Sequence, residues 1–171
     1  MKKLLLLLFC VVSFNLSFGQ DIFAAARAND VVALEGFLKS GVDVNGKNEK
    51  GYTPLILAVY NGSNEATEYL LKNGANPNMQ DGSGNTALMG ATFKGYHTVV
   101  KTLLRYKADV NQVNYNDATA LVFAATFGQV EIAKTLLSHG ADKELKDSRG
   151  KTAYDHALMQ ENAALINLLM K

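Results

Sequence analysis

GYTPLILAVYNGSNEATEYLLKNGANPNMQDGS (51–83), GNTALMGATFKGYHTVVKTLLRYKADVNQVNYN (84–116) and DATALVFAATFGQVEIAKTLLSHGADKELKDSR (117–149) are segments of 33 residues laid end to end in one register. A fixed period of this length marks stacked units, because each is too small to bury its apolar face alone and must lean on its neighbours. Upstream, IFAAARANDVVALEGFLKSGVDVN (22–45) keeps the register, and downstream GKTAYDHALMQENAALINLLMK (150–171) supplies a further partial unit.

The recurring residues have physical reasons to recur. Thr53, Thr86, Thr119 and Thr152 stand where a hydroxyl can accept a backbone N–H and start a helix. Behind them Leu55 and Ala58, Leu88 and Ala91, and Leu121 and Ala124 lie three apart on one helix face, with alanine allowing close approach. Gly62, Gly95 and Gly128 then permit a tight reversal, since glycine reaches positive φ without a Cβ clash. A second helix follows, with the buried stripe Ala66, Leu70 and Leu71, repeated as Val99, Leu103 and Leu104 and as Ile132, Leu136 and Leu137. Its charged residues, including Glu65, Glu68, Lys72, Lys101, Arg105, Glu131 and Lys134, form a solvated face where binding is not expected. Gly74 and Gly140 end the second helix, and the polar stretch up to the next threonine has room only for an extended loop or hairpin turn.

This pattern resembles the ankyrin repeat over about residues 20–171. Thr53-Pro54-Leu55 carries the family's T-P-L motif, which becomes T-A-L at Thr86 and Thr119. The family's G-A-D-x-N segment stands as GVDVN from Gly41, GANPN from Gly74, KADVN from Lys107 and GADKE from Gly140. The resemblance implies an all-α solenoid of helix–turn–helix units with hairpin loops. Three full repeats (51–83, 84–116, 117–149) would lie between degenerate caps at 20–50 and 150–171. The histidine that usually follows T-P-L is replaced by Ile56, Met89 and Val122, which removes its hydrogen bond between repeats. Lys107 replaces the helix-ending glycine, at a cost of about 1 kcal/mol if the left-handed backbone is kept. Asn29 and Glu161 stand at the glycine position of the terminal units, as suits caps with one face in water.

Residues 1–19 read differently: Lys2 and Lys3, an apolar run from Leu4 to Val12, then small and polar residues to Gly19, the layout of a secretory signal peptide with Gln20 first in the mature chain. The run falls short of the ~20 apolar residues that a spanning helix needs, and no small residues precede Cys10 as a lipid anchor would require. No stable membrane insertion is expected after cleavage. Loss of the segment turns 17 basic and 16 acidic residues into 15 and 16, a balance that argues against nucleic acid as a partner. The only cysteine leaves with it, so packing alone must stabilise the mature domain. The short basic start and the lack of cysteines favour an exported bacterial protein, periplasmic or secreted.

Ankyrin domains bind proteins through their hairpin tips and the concave face of their first helices. The register puts the tips at Glu49, Lys50 and Tyr52; Gly82, Ser83 and Asn85; Tyr115, Asn116 and Ala118; and Ser148, Arg149 and Lys151. The first helices end at Tyr60 and Asn61, Phe93 and Lys94, and Thr126 and Phe127. Tyr52, Tyr60, Phe93, Tyr115 and Phe127 would line one groove flanked by Asn85, Lys94, Asn116 and Lys151, with no core contact to explain the rings. For Phe127, one register position beyond Phe93, folding back onto a neighbouring repeat is an equal alternative. The implied partner is another protein, bound by a monomer. It could be an envelope enzyme needing an accessory factor, or a toxin needing an immunity protein.

An active site has little support in the residues. His97 opens a second helix, His139 closes another and His156 lies within a first helix, so they do not converge. Neither a metal site nor a cofactor is expected, since no H-x-x-x-H pair, thiolate pair or phosphate-binding glycine loop is present. Asp155 and His156 are adjacent helical residues that point about 100° apart and cannot share a proton. An unrecognised enzyme would be signalled by His156 or His139 lining a deep pocket with carboxylates. Stacking of open solenoid ends into a homotypic assembly is a third reading.

Overall fold

A computed structural model describes residues 21–170. The signal peptide expected at 1–19, with Cys10 and the mature start at Gln20, lies outside the described residues. The helices come in consecutive pairs: α1 (Ile22–Arg27) and α2 (Val31–Lys39), α3 (Pro54–Tyr60) and α4 (Asn64–Lys72), α5 (Ala87–Lys94) and α6 (His97–Arg105), α7 (Ala120–Thr126) and α8 (Val130–Ser138), α9 (Ala153–Met159) and α10 (Ala163–Met170). Among the described residues the only other regular element is an isolated antiparallel bridge between Gln80 and Thr86. This is an all-α repeat solenoid.

The threonines cap as their position predicts. Thr53, Thr86, Thr119 and Thr152 each accept the backbone N–H three residues on, at 3.2–3.3 Å; Asp21 does so for α1 at 2.6 Å. Each first helix packs on the next first helix and on its own partner, giving two layers with the core between them. Leu55, Leu88 and Leu121 are buried from the first layer, and Leu70, Leu103 and Leu136 from the second. Leu137, expected in the stripe, is only half-buried. Ile56, Met89 and Val122, which replace the family histidine, are fully buried and give apolar packing in its place.

Lys107 keeps the left-handed backbone that glycine supplies elsewhere, with φ 65°. Its N–H donates to Leu104 and that of Ala108 to Leu103, the same pair of bonds that Gly74 and Gly140 make after α4 and α8. The demand for a positive φ therefore comes from the turn that closes the helix.

Between units, asparagines form a ladder that supplies polar register. Asn45, Asn78 and Asn111 accept from the backbone N–H of Asn76, Asp109 and Asp142 in the following unit at 2.7–2.8 Å. Asn45 and Asn111 also donate to the carbonyls of Gly74 and Gly140. The ladder ends where Glu144 takes the next in-phase position.

Candidate protein-binding face

The hairpin tips are built by one side chain per unit. Asn48, Asp81, Asn114 and Asp147, spaced at the repeat period, each accept two backbone N–H groups of their own tip through one oxygen, at 2.8–3.0 Å. Successive tips are then joined, Tyr115 N–H donating to Ser83 O at 3.2 Å and Ser148 N–H to Asn116 O at 2.9 Å. The tips are thus a preformed rim beside the first helices, which limits the entropy lost on binding.

The expected aromatic strip divides in two. Phe93 and Phe127 are 42% and 45% exposed, and their rings meet edge to face at 4.8 Å between centroids. Phe127 also lies 6.1 Å from the half-buried Phe123, and Lys94 Nζ stands 5.8 Å from the Phe93 ring. Phe127 therefore both packs on neighbouring rings and remains open to solvent. Tyr115 is 71% exposed, its ring lying on Gly84, where an added Cβ would come within 2.6 Å of it.

Tyr52 and Tyr60 differ from the expectation, because both are half-buried and packed against the core. Gly90 leaves the surface of α5 bare, and the Tyr60 ring fills the gap, 3.2 Å from where a Cβ would stand. Tyr52 meets it edge to face at 6.2 Å. Burial, with smaller contributions from the Asp81 carboxylate and Tyr52, pushes the Tyr60 phenol up to about 12. Core contact thus explains these two rings. Asn85 is also engaged internally, accepting from Asn114 Nδ2 at 2.8 Å, whereas Lys94, Asn116 and Lys151 are exposed.

Next to Phe127 the tips and α7 border an open cleft of about 460 Å³, lined by Phe123, Thr126, Phe127, Asp147, Arg149 and His156 among others. Its polar wall was not foreseen. His156 is 4% exposed; its Nε2 donates to Asp147 Oδ2 at 2.9 Å and its Nδ1 faces Thr126 Oγ1 at 3.1 Å. Burial works to raise the Asp147 carboxyl, but the N–H groups of Lys151, His156 and Arg149 outweigh it and hold the group down at about 2. Asp155 is occupied elsewhere: the Thr152 backbone N–H and hydroxyl, each at 2.9 Å, hold its carboxyl below the usual range.

A histidine lining a cleft with a carboxylate is the arrangement that would signal chemistry, so its geometry matters. Both ring nitrogens lie against protein atoms, and the Thr126 hydroxyl stands between His156 Nδ1 at 3.1 Å and the Val122 carbonyl at 2.8 Å. The group joins α7, α9 and the fourth tip. His97 bonds to Thr135 Oγ1 at 2.7 Å and His139 to the Thr135 carbonyl at 2.8 Å, away from His156. Among the described residues no three His, Cys, Asp or Glu side chains gather as metal ligands would.

Family models of ankyrin repeats match residues 22–114, as three copies, and residues 99–157, as many copies. The chain belongs to the ankyrin-repeat family. No curated protein matches it. Ankyrin repeats generally mediate protein–protein interaction, so a protein partner is the functional class that family membership supports. Among the described residues no helix is long and apolar enough to cross a membrane. The second-helix face of this ankyrin domain is occupied by its own ion pairs, with Glu68 bonded to Arg105 at 2.6 Å and Glu131 to Lys134 at 2.7 Å.

Two features of the site escaped the sequence reading. The tip-forming series Asn48, Asp81, Asn114 and Asp147 was detectable, since the residues recur in phase. The pairing of Asp147 with His156 has no periodic counterpart, because Leu57, Gly90 and Phe123 hold the place of His156 in the earlier units.

Proposed function

We propose that this protein is a non-catalytic binding module that acts outside the cytoplasm and docks a partner protein on its first-helix face and hairpin tips. The observation that carries the reading is the group of Phe93, Phe127 and Tyr115, large rings left in solvent while every other phenylalanine and tyrosine among the described residues is half-buried. Exposed aromatics on a rigid rim supply large contact area at little conformational cost, the composition of an interface hot region. Lys94, Asn116 and Lys151 flank them as polar rim, while Tyr52 and Tyr60 contribute mainly by fixing the shape of the groove. The mature protein would comprise residues 20–171, exported by the segment 1–19 and monomeric.

A photo-crosslinking residue placed at position 127, and in a separate variant at position 134 on α8, tests the assignment in the native cell. The reading expects one reproducible adduct from position 127 and none from position 134. Adducts from position 134 alone would overturn it. Mass spectrometry of the protein recovered outside the cytoplasm should find Gln20 as its first residue; intact protein confined to the cytosol would contradict export.

A further inference from the structure

The cleft beside Phe127 carries information about what the partner presents. Its lining combines apolar Val122, Phe123 and Phe127 with polar Asn116, Ser148 and Arg149. Asp147 is 4% exposed and accepts four donors: the backbone N–H groups of Arg149 and Lys151 on Oδ1, and His156 Nε2 and Arg149 Nη2 on Oδ2. Backbone N–H groups and His156 supply three of these contacts and the Arg149 side chain only the fourth.

Arg149 gives Asp147 a single contact at 3.3 Å and leaves its side chain 69% exposed. Its remaining N–H groups, the Asn116 amide and the Ser148 hydroxyl have no partner among the described residues. Lys151 stands exposed on the same tip and Lys94 at the Phe93 end of the ring cluster. The one exposed carboxylate on the adjoining tip, Asp117, is not part of the lining. A guanidinium with free N–H groups, next to an amide and a hydroxyl, matches a carboxylate. Phe123 and Phe127, in the same lining, match an apolar side chain.

We infer that this cleft receives a segment of the partner protein that sets an acidic side chain on Arg149 beside an apolar side chain on Phe123 and Phe127. The inference rests on the docking role proposed above and names the chemistry that the docked segment must carry. The volume of about 460 Å³ holds one large side chain and its neighbouring carboxylate, so recognition is of a short motif at the C-terminal end of the groove.

Selection of a randomised displayed peptide library against the protein, purified as its own cell processes it, supplies the probe. Enriched peptides should pair an acidic residue with an aromatic or aliphatic neighbour. Arg149→Gln should weaken them about tenfold or more, as should Glu→Gln within the peptide, and the two changes together should cost little beyond either alone. Arg149 is exposed at a tip, so an unchanged melting temperature checks that the variant is folded. Peptides without an acidic residue, or acidic peptides indifferent to Arg149→Gln, would overturn the inference. If those peptides still weaken on Phe127→Ala, the docking role stands and only the carboxylate specificity fails. Indifference to both substitutions sinks the docking role as well.

Discussion

Replacing Lys107 by glycine should stabilise this protein, although it removes a side chain and adds no contact. The reason is backbone: Lys107 holds φ 65° to complete the turn after α6. A non-glycine residue in that region carries about 1–2 kcal/mol of strain. Glycine relieves it, but the greater freedom of the unfolded chain takes back about 0.4–1 kcal/mol. The net gain is about 0.5–1 kcal/mol, or a rise in melting temperature of about 1–4 °C for a domain of this size. Lys107 is exposed and makes no ion pair among the described residues, so Lys107→Ala should leave stability within about 0.5 kcal/mol of wild type. Asn29 is the opposing control. It too has a positive φ, 58°, but its Oδ1 accepts from Ala66 N–H at 2.8 Å and its Nδ2 donates to Glu65. Asn29→Gly loses those bonds and should destabilise by about 1 kcal/mol. Thermal and guanidinium unfolding of the three variants measures the set. A Lys107→Gly protein no more stable than wild type, or an Asn29→Gly protein more stable than it, would refute the assignment of strain to this turn.

Gly84→Ala should destabilise by about 2 kcal/mol or more, since its φ is 78° and a Cβ would fall 2.7 Å from the Tyr115 backbone nitrogen; chemical denaturation reads the loss. Asp147, ordinarily near 3.8 and held at about 2, contributes stability above pH 4 that disappears as pH falls through 2. Asp147→Asn should therefore be less stable than wild type at neutral pH, with the gap in melting temperature closing between pH 4 and pH 2. Tyr60, raised to about 12, ionises in the unfolded chain first, so its contribution is lost as pH rises from 10 to 12. Tyr60→Phe should remove the latest-ionising phenol from an alkaline ultraviolet titration and flatten that loss.

The repeat was legible because its determinants are local. A threonine cap, an alanine beside a leucine and a glycine at a reversal act within a few residues and recur in phase, so period alone located the helices. The rings were harder. Phe93, Tyr115 and Phe127 stand in solvent as the register suggested, but Tyr60 folds inward because Gly90, in the next unit, has no side chain to resist it. Asp155 turns away from His156, as adjacency on a helix requires, and His156 pairs instead with Asp147 across the join between a tip and α9. Pairings of this kind occur once, at the end of the array, and periodicity carries no information about them.

The central claim is that the ring cluster beside the tips binds the partner. Once a crosslinked partner is identified, its affinity should be measured by calorimetry for wild type and for the protein carrying Phe93→Ala, Tyr115→Ala and Phe127→Ala together. All three rings are exposed, so the variant should keep its fold by circular dichroism. Loss of affinity by about a hundredfold or more is the predicted result, as expected for removing an interface hot region. An affinity within about threefold of wild type, less than 1 kcal/mol, would contradict the account.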